Sequence, residues 1–170
     1  MIGTHVMTVS ASTQIRRRFE PVLRRAFHLY WRFARGMTFG VRAVVLDGER
    51  VFLIKHTYVS GWQLPGGGVE VGETALAALH RELKEEGNIE CDEEPRLHGL
   101  FFNHHVSRRD HVAVYVIRRF RQDSLPQPNH EIAASGFFDV HDLPPDTTGG
   151  TLRRIAEVMN GGSVAATWND

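Results

Sequence analysis

The chain predicts an α+β fold in which a mixed β-sheet lies between helices in an α/β/α sandwich, and three observations carry that prediction. From Phe39 onward short β-rich runs recur between turn signals, one helix of clear 3.6-residue period interrupts them, and a second helix closes the chain. At 170 residues there is room for one core of useful size and not for two full domains. Hydrophobic residues make up 42% and charged residues 24%, which argues against a disordered chain, and no apolar run approaches a membrane span. The single cysteine, Cys91, excludes an internal disulfide framework, and a cytoplasmic location is expected.

Residues 1–36 form a basic extension. Seven arginines stand there against one acid, Glu20, so this segment carries +6 and the remainder −6 although the whole chain is neutral. Wound at 100° per residue, Ile15, Phe19, Val22, Leu23, Ala26, Phe27, Tyr30, Phe33 and Ala34 make one stripe, with most arginines opposite. Pro21 suits the first turn of this amphipathic helix and Gly36 its end. Docking of the aromatic stripe on the following domain, or on a second copy in a homodimer, is the favoured reading. An anionic membrane surface and an organellar targeting segment are the two others, and Met7 is an alternative start.

A domain is expected over residues 37–160. "FGVRAVVLD" and "RVFLIKH" flank Asp47-Gly48 and read as a hairpin. "RLHGLFFN" and "HVAVYVIRRF" read as two more strands, and "SGFFDV" as a last short one. Thr151 is expected to cap the final helix and Asn160-Gly161 to stop it, leaving residues 161–170 as a tail.

Between these strands lies "LPGGGVEVGETALAALHRELKEEGNIE", residues 64–90. Ala75, Leu76, Leu79 and Leu83 give its helix an apolar stripe, and Glu82, Glu85 and Glu86 stand at i, i+3 and i+4 beside it. Three carboxylates on one patch repel one another unless a divalent cation sits among them, and a hard cation such as magnesium prefers oxygen. Gly66, Gly67 and Gly68 let the preceding backbone bend sharply and approach a ligand, for which phosphate is a candidate. The loop matches neither the Walker pattern nor the dinucleotide fingerprint.

Gly67, Glu73, Arg81-Glu82-Leu83, Glu85-Glu86, Asn88 and Ile89 together resemble the signature of the Nudix hydrolase family, with Asn88 where the family has glycine. Asparagine is the next best residue after glycine for a left-handed helix end, so the fold is expected to survive, with the neighbouring Gly87 available to absorb strain. The resemblance implies the Nudix fold over residues 37–160 and hydrolysis of a diphosphate linkage in a small-molecule nucleoside diphosphate joined to another group. It implies Mg2+, with Mn2+ as a substitute, held by Glu82, Glu85 and Glu86. Glu82 or Glu131, just before the last strand, is expected to take a proton from the attacking water. Arg81 and Glu73 are expected to pair and orient the ligands.

Trp62, Arg108 and Arg109 are further candidates for substrate contact, alongside Tyr58 and Phe102 as aromatic platforms. His104, His105 and His111 read as loop histidines, since there is no HExxH and no cysteine pair to suggest zinc. Dinucleoside polyphosphates, nucleoside triphosphates, and a sensor that binds a nucleotide without cutting it are the alternatives. A nucleic-acid partner is not expected. Deleting residues 1–35 is expected to lower solubility or change the oligomeric state, read by size-exclusion chromatography with light scattering. An equally soluble truncation, with full-length protein binding anionic vesicles in low salt, replaces docking by the membrane reading.

Overall fold

The computed structural model describes residues 36–169 together with Arg24, Arg25, Phe27 and Tyr30. The chain divides into two units, Met1–Gly36 and Met37–Asp170. In the first, Arg24, Arg25, Phe27 and Tyr30 have helical backbone. The docking expected of the aromatic stripe lies outside the described residues.

The second unit is built of β1 (Thr38–Asp47), β2 (Arg50–His56), β3 (Trp62–Gln63), α1 (Ala75–Gly87), β4 (Ile89–Cys91), β5 (Arg96–Phe102), β6 (Asp110–Ile117), β7 (Phe120–Gln122), β8 (Ile132–Asp139) and α2 (Gly149–Asn160). The sheet order is β3-β2-β1-β6-β5, with β8 on β2, and β1 runs parallel to β6 while the other pairs are antiparallel. Strand alternation feeds two cores. Val41, Ala43, Val45, Phe52, Ile54, Ala113 and Tyr115 pack with Ala78, Leu79 and Leu83 of α1. Their neighbours Val44, Leu46, Val51, Leu53, Val114 and Val116 pack with Ile155 of α2 on the other face. Both faces of β1, β2 and β6 are therefore covered, which is why these strands read as continuous apolar runs. Each such Leu or Phe contributes about 1.5–3 kcal/mol by burial.

The hairpin holds, with Gly48 at φ +60°, but β1 and β2 pair only at Leu46–Val51 and Asp47–Arg50. Beyond that they part. The free edge of β1 is taken up by the glycine loop: Val41 N donates to Gly67 O at 2.9 Å, Ala43 N to Pro65 O at 2.9 Å, and Val69 N to Phe39 O at 2.9 Å. A gap in the sheet is thereby filled by the segment that carries the signature glycines.

Three short strands were not legible in advance: β3, β4 and β7 have two or three residues, too few to show a period. The final helix is entered three residues earlier than expected, from Thr148 instead of Thr151, with Thr148 Oγ1 donating to Thr151 Oγ1 at 2.9 Å. Gly161 ends it in a left-handed turn. The residues after it fold back instead of trailing away. Phe102 N donates to Ala166 O and Trp168 N to Phe102 O. Beneath them the fully buried Arg154 lies 4.0 Å from the Phe101 ring, donating to Thr167 O at 3.1 Å and Glu157 Oε1 at 2.8 Å.

Thr74 caps α1 by accepting from Ala77 N at 3.1 Å, and Asn88 ends it at φ 51°, ψ 34°. Asn88 alone supplies the left-handed turn. Gly87 is helical, and its missing Cβ is needed for room, since an added one would lie 2.9 Å from Ile89 Cδ1 and 3.0 Å from Phe52 Cε1. Asn88→Gly is expected to stay within about 1 kcal/mol of the parent, while Asn88→Val loses about 1 kcal/mol or more by chemical denaturation. Equal midpoints for the two variants would show that the helix ends by another device.

Candidate functional site

The parting of β1 from β2 leaves a cavity of roughly 450 Å³ beside the glycine loop. Gly66, Gly67 and Gly68 form one wall, Glu82 and Glu86 of α1 reach it, and Arg42, His56, Tyr58 and Glu131 face them. Thr38, Phe39, Asn103 and Asp110 continue it along β1 and β6.

Gly66 makes the closest approach to neighbouring backbone. At φ +136° an added Cβ would fall 2.1 Å from Val41 O, so the loop can lie against β1 only with glycine here. The same residue's N–H donates to Glu86 Oε2 at 2.6 Å, tying loop to helix. Glu86 is only 4% exposed, and its Oε1 stands 3.7 Å from His56 Nε2. Burial pushes the Glu86 carboxyl up to about 8, with Glu82 and Glu131 adding to the rise and the Gly66 N–H and Arg42 opposing it. Burial likewise pushes the Arg42 guanidinium down, against the pull of Glu86 and Glu82. The His56 imidazole is held below its ordinary range by burial and then by Arg42, and its Nδ1 is buried without a partner.

Arg81 braces the arrangement from behind. Its Nε and Nη2 grip the two carboxylate oxygens of Glu73 at 3.1 and 3.2 Å, Nη1 meets Glu82 Oε1 at 2.7 Å, and Nη2 reaches Gly68 O at 3.2 Å. One guanidinium thus fixes both ends of the glycine loop's exit and one acidic ligand candidate. The bond from Arg81, and then the Glu70 backbone, hold the Glu73 carboxyl below the usual range. Glu85 is exposed, with Oε2 3.5 Å from Arg81 Nη1.

The residues suit a hard divalent cation. Their donors are all oxygen, and the buried Glu86 has a raised pKa that a nearby positive charge would reverse. Among the described residues no three acidic, His or Cys side chains already stand at ligand spacing, because Arg81 holds Glu82 and Glu85 lies on the exposed face. Glu131 comes to the cavity from the residue before β8, accepting from Tyr58 Oη at 3.3 Å.

Four candidates are elsewhere. Trp62 packs edge-on against Phe138 at 4.7 Å with the α2-side core. Arg108 and Arg109 sit on the β5–β6 loop outside the lining, although Val106 of that loop belongs to it. Phe102 lies among His104 and His111, also outside. Sequence reasoning missed Arg42, His56, Thr38, Asn103 and Asp110. Arg42 had left a signal, as an arginine inside the apolar run "GVRAVV".

A family model described as NUDIX domain matches residues 36–157, most of the chain. The chain belongs to the Nudix family. A Nudix structure, the MutT NUDIX hydrolase from Burkholderia pseudomallei, superposes with a TM-score of 0.62 at 26% identity, covering 71% of this chain and 97% of that one. An ADP-ribose pyrophosphatase from Streptococcus suis gives 0.57 at 25% identity, covering 75% and 96%. An RNA pyrophosphohydrolase of Legionella pneumophila (strain Corby) is 43% identical over 47 residues, 28% of this chain and 27% of that protein. The human 8-oxo-dGDP phosphatase NUDT18 is 39% identical over 70 residues, 39% of this chain and 22% of that one. The chain thus matches only about a quarter of the length of these curated relatives.

Gly66→Ala is expected to cost about 3 kcal/mol or more, from strain at positive φ plus the clash with Val41. Its unfolding midpoint in urea measures this, and a midpoint equal to the parent would show that the loop has another seat.

Proposed function

We propose that this Nudix protein is a divalent-cation-dependent hydrolase that cleaves the diphosphate linkage of a nucleoside diphosphate joined to another group. The observation that carries this reading is the meeting of Glu82 and Glu86 with the Gly66–Gly68 wall in one cavity that Arg42, half-buried on β1, also lines. Glu82, Glu85 and Glu86 would hold magnesium, which when bound neutralises phosphate oxygens and makes water a stronger nucleophile. Arg42 offers a fixed positive charge to the diphosphate in a site from which bulk water is partly excluded. Water attacks phosphorus, the bridging P–O bond breaks, and a nucleoside monophosphate and a phosphorylated group leave. Glu131 takes the proton: its carboxylate accepts from the Tyr58 phenol, whereas Glu82 is already clamped by Arg81. Burial, and then Glu131, push the Tyr58 phenol up, so it remains a donor that orients Glu131.

Relatives named as pyrophosphohydrolases, phosphatases and an ADP-ribose pyrophosphatase support the reaction class. On a panel of nucleoside diphosphate derivatives with magnesium, product release is expected to be saturable and abolished by EDTA. Glu85→Gln and Glu86→Gln are each expected to reduce kcat by about a hundredfold or more. Glu86→Gln keeps an oxygen to accept the Gly66 N–H and replaces a carboxyl whose charge burial already opposes, so its fold should persist. Near-parental activity in either variant, or activity under EDTA, removes the cation from the mechanism. Saturable binding without product would make the protein a sensor.

A further inference from the structure

We propose that Thr38, Asn103 and Asp110 form a base-recognition end of the cavity that selects guanine nucleotides; this deepens the hydrolase reading and rests on it for the diphosphate at the other end. The cavity has two chemically different ends. Arg42 and Glu86 mark one, and Thr38 lies four residues back along β1, about 13 Å away at the rise of a strand. A ribose and its phosphates separate a base from the reacting phosphorus by a comparable span.

The far end is a built site. Parallel register sets Thr38 beside Asp110 and Gly40 beside Val112. Thr38 Oγ1 donates to Asp110 Oδ1 at 2.7 Å, and Asn103 Nδ2 donates to Asp110 Oδ2 at 2.8 Å. A carboxylate only accepts, so this contact fixes which way the Asn103 amide faces and leaves its Oδ1 without a partner. Asn103 is 8% exposed, and an unpaired acceptor in such a place costs about 1–3 kcal/mol. Its backbone is equally fixed: Asn103 N donates to Asp110 O at 2.9 Å, and Asn103 O accepts from Val106 N and Ser107 N. Phe39, Val106 and Val112 supply apolar walls for the faces of a planar ring.

The surplus at this end is of acceptors, since its two side-chain donors, Thr38 Oγ1 and Asn103 Nδ2, are both turned to Asp110. Asn103 Oδ1 and the remaining lone pairs of Asp110 call for a ligand edge with adjacent N–H groups. Guanine presents N1–H and the N2 amino group side by side. Adenine and cytosine each place one amino group next to an acceptor nitrogen, and uracil flanks its single N–H with two oxygens, which a carboxylate repels. A site built around hydrogen bonds rejects ligands that leave its buried groups unpaired.

Calorimetric titration with the methylene-bridged, non-hydrolysable analogues of GDP and ADP, in magnesium, reads base preference apart from turnover. The parent is expected to bind the GDP analogue at least tenfold more tightly than the ADP analogue. Asn103→Leu is expected to shrink that ratio at least fivefold, and Thr38→Val, which removes the hydroxyl that donates to Asp110 Oδ1 and helps fix that carboxylate, to shrink it in the same direction. Equal affinity for both analogues in the parent overturns the proposal, as does a ratio unchanged in both variants, and a melting curve identifies a variant that fails to fold. Efficient hydrolysis with no guanine preference would leave the hydrolase reading standing and sink this one. A guanine preference without hydrolysis of any nucleotide would do the reverse.

Discussion

The close approach of Gly66 to the backbone of Val41 is the constraint on which the site depends. β1 and β2 separate after two residue pairs, and the exposed amides of Val41 and Ala43 need acceptors. The glycine loop supplies them, but only because no side chain stands between Gly66 and Val41 O. That contact turns the Gly66 N–H toward Glu86, and Glu86 is thereby held inside the molecule at a position where burial opposes its charge. The gap in the sheet, the wall of the cavity and the unusual carboxyl follow from one contact of backbone on backbone.

Like charges are kept together by two arginines with different tasks. Arg81 meets the outer carboxylates, Glu73 and Glu82, with a fork of N–H groups that matches the paired oxygens of Glu73. Arg42 stands inside and opposes the cost of Glu86 through its field. Removing positive charge from the first place loosens the loop; removing it from the second takes away the charge that opposes the cost of Glu86. The same split separates Glu85 from Glu86. Glu85 is exposed with Arg81 alone beside it at 3.5 Å among the contacts described, while Glu86 is held in place by the Gly66 N–H.

Legibility in the sequence followed contiguity. The signature was readable because 23 neighbouring residues carry the loop, the helix and its acids, and helical spacing alone puts Glu82, Glu85 and Glu86 on one side. The αL turn at Asn88 was readable because few residues tolerate it. Asn103 and Asp110 were not, since their meaning comes from the loop closing between them and from Thr38, 72 residues from Asp110, lying alongside. Trp62 misled for the opposite reason. It adjoins the signature in the chain, but strand alternation turns it toward Phe138 and the other core. Local sequence could not say which face β3 presents, because two residues have no period.

The segment after α2 reaches the site indirectly. Ala166 and Trp168 pair with the backbone of Phe102, the residue before Asn103. Arg154 secures that pairing from below, since its buried guanidinium is matched by Thr167 O, Glu157 and the Phe101 ring, and Glu157 in turn meets His98 Nε2 at 3.0 Å. Breaking one partner of a buried ion pair commonly costs about 3–5 kcal/mol, so this cluster is stiff. Stiffness here has a use beyond stability. A base-reading amide must keep its oxygen turned to the ligand whether or not a ligand is present, and Asn103 is held on one side by the loop to Asp110 and on the other by a strand end that the tail clamps. Residues 165–168 thus belong to the geometry of recognition, although none of them lines the cavity.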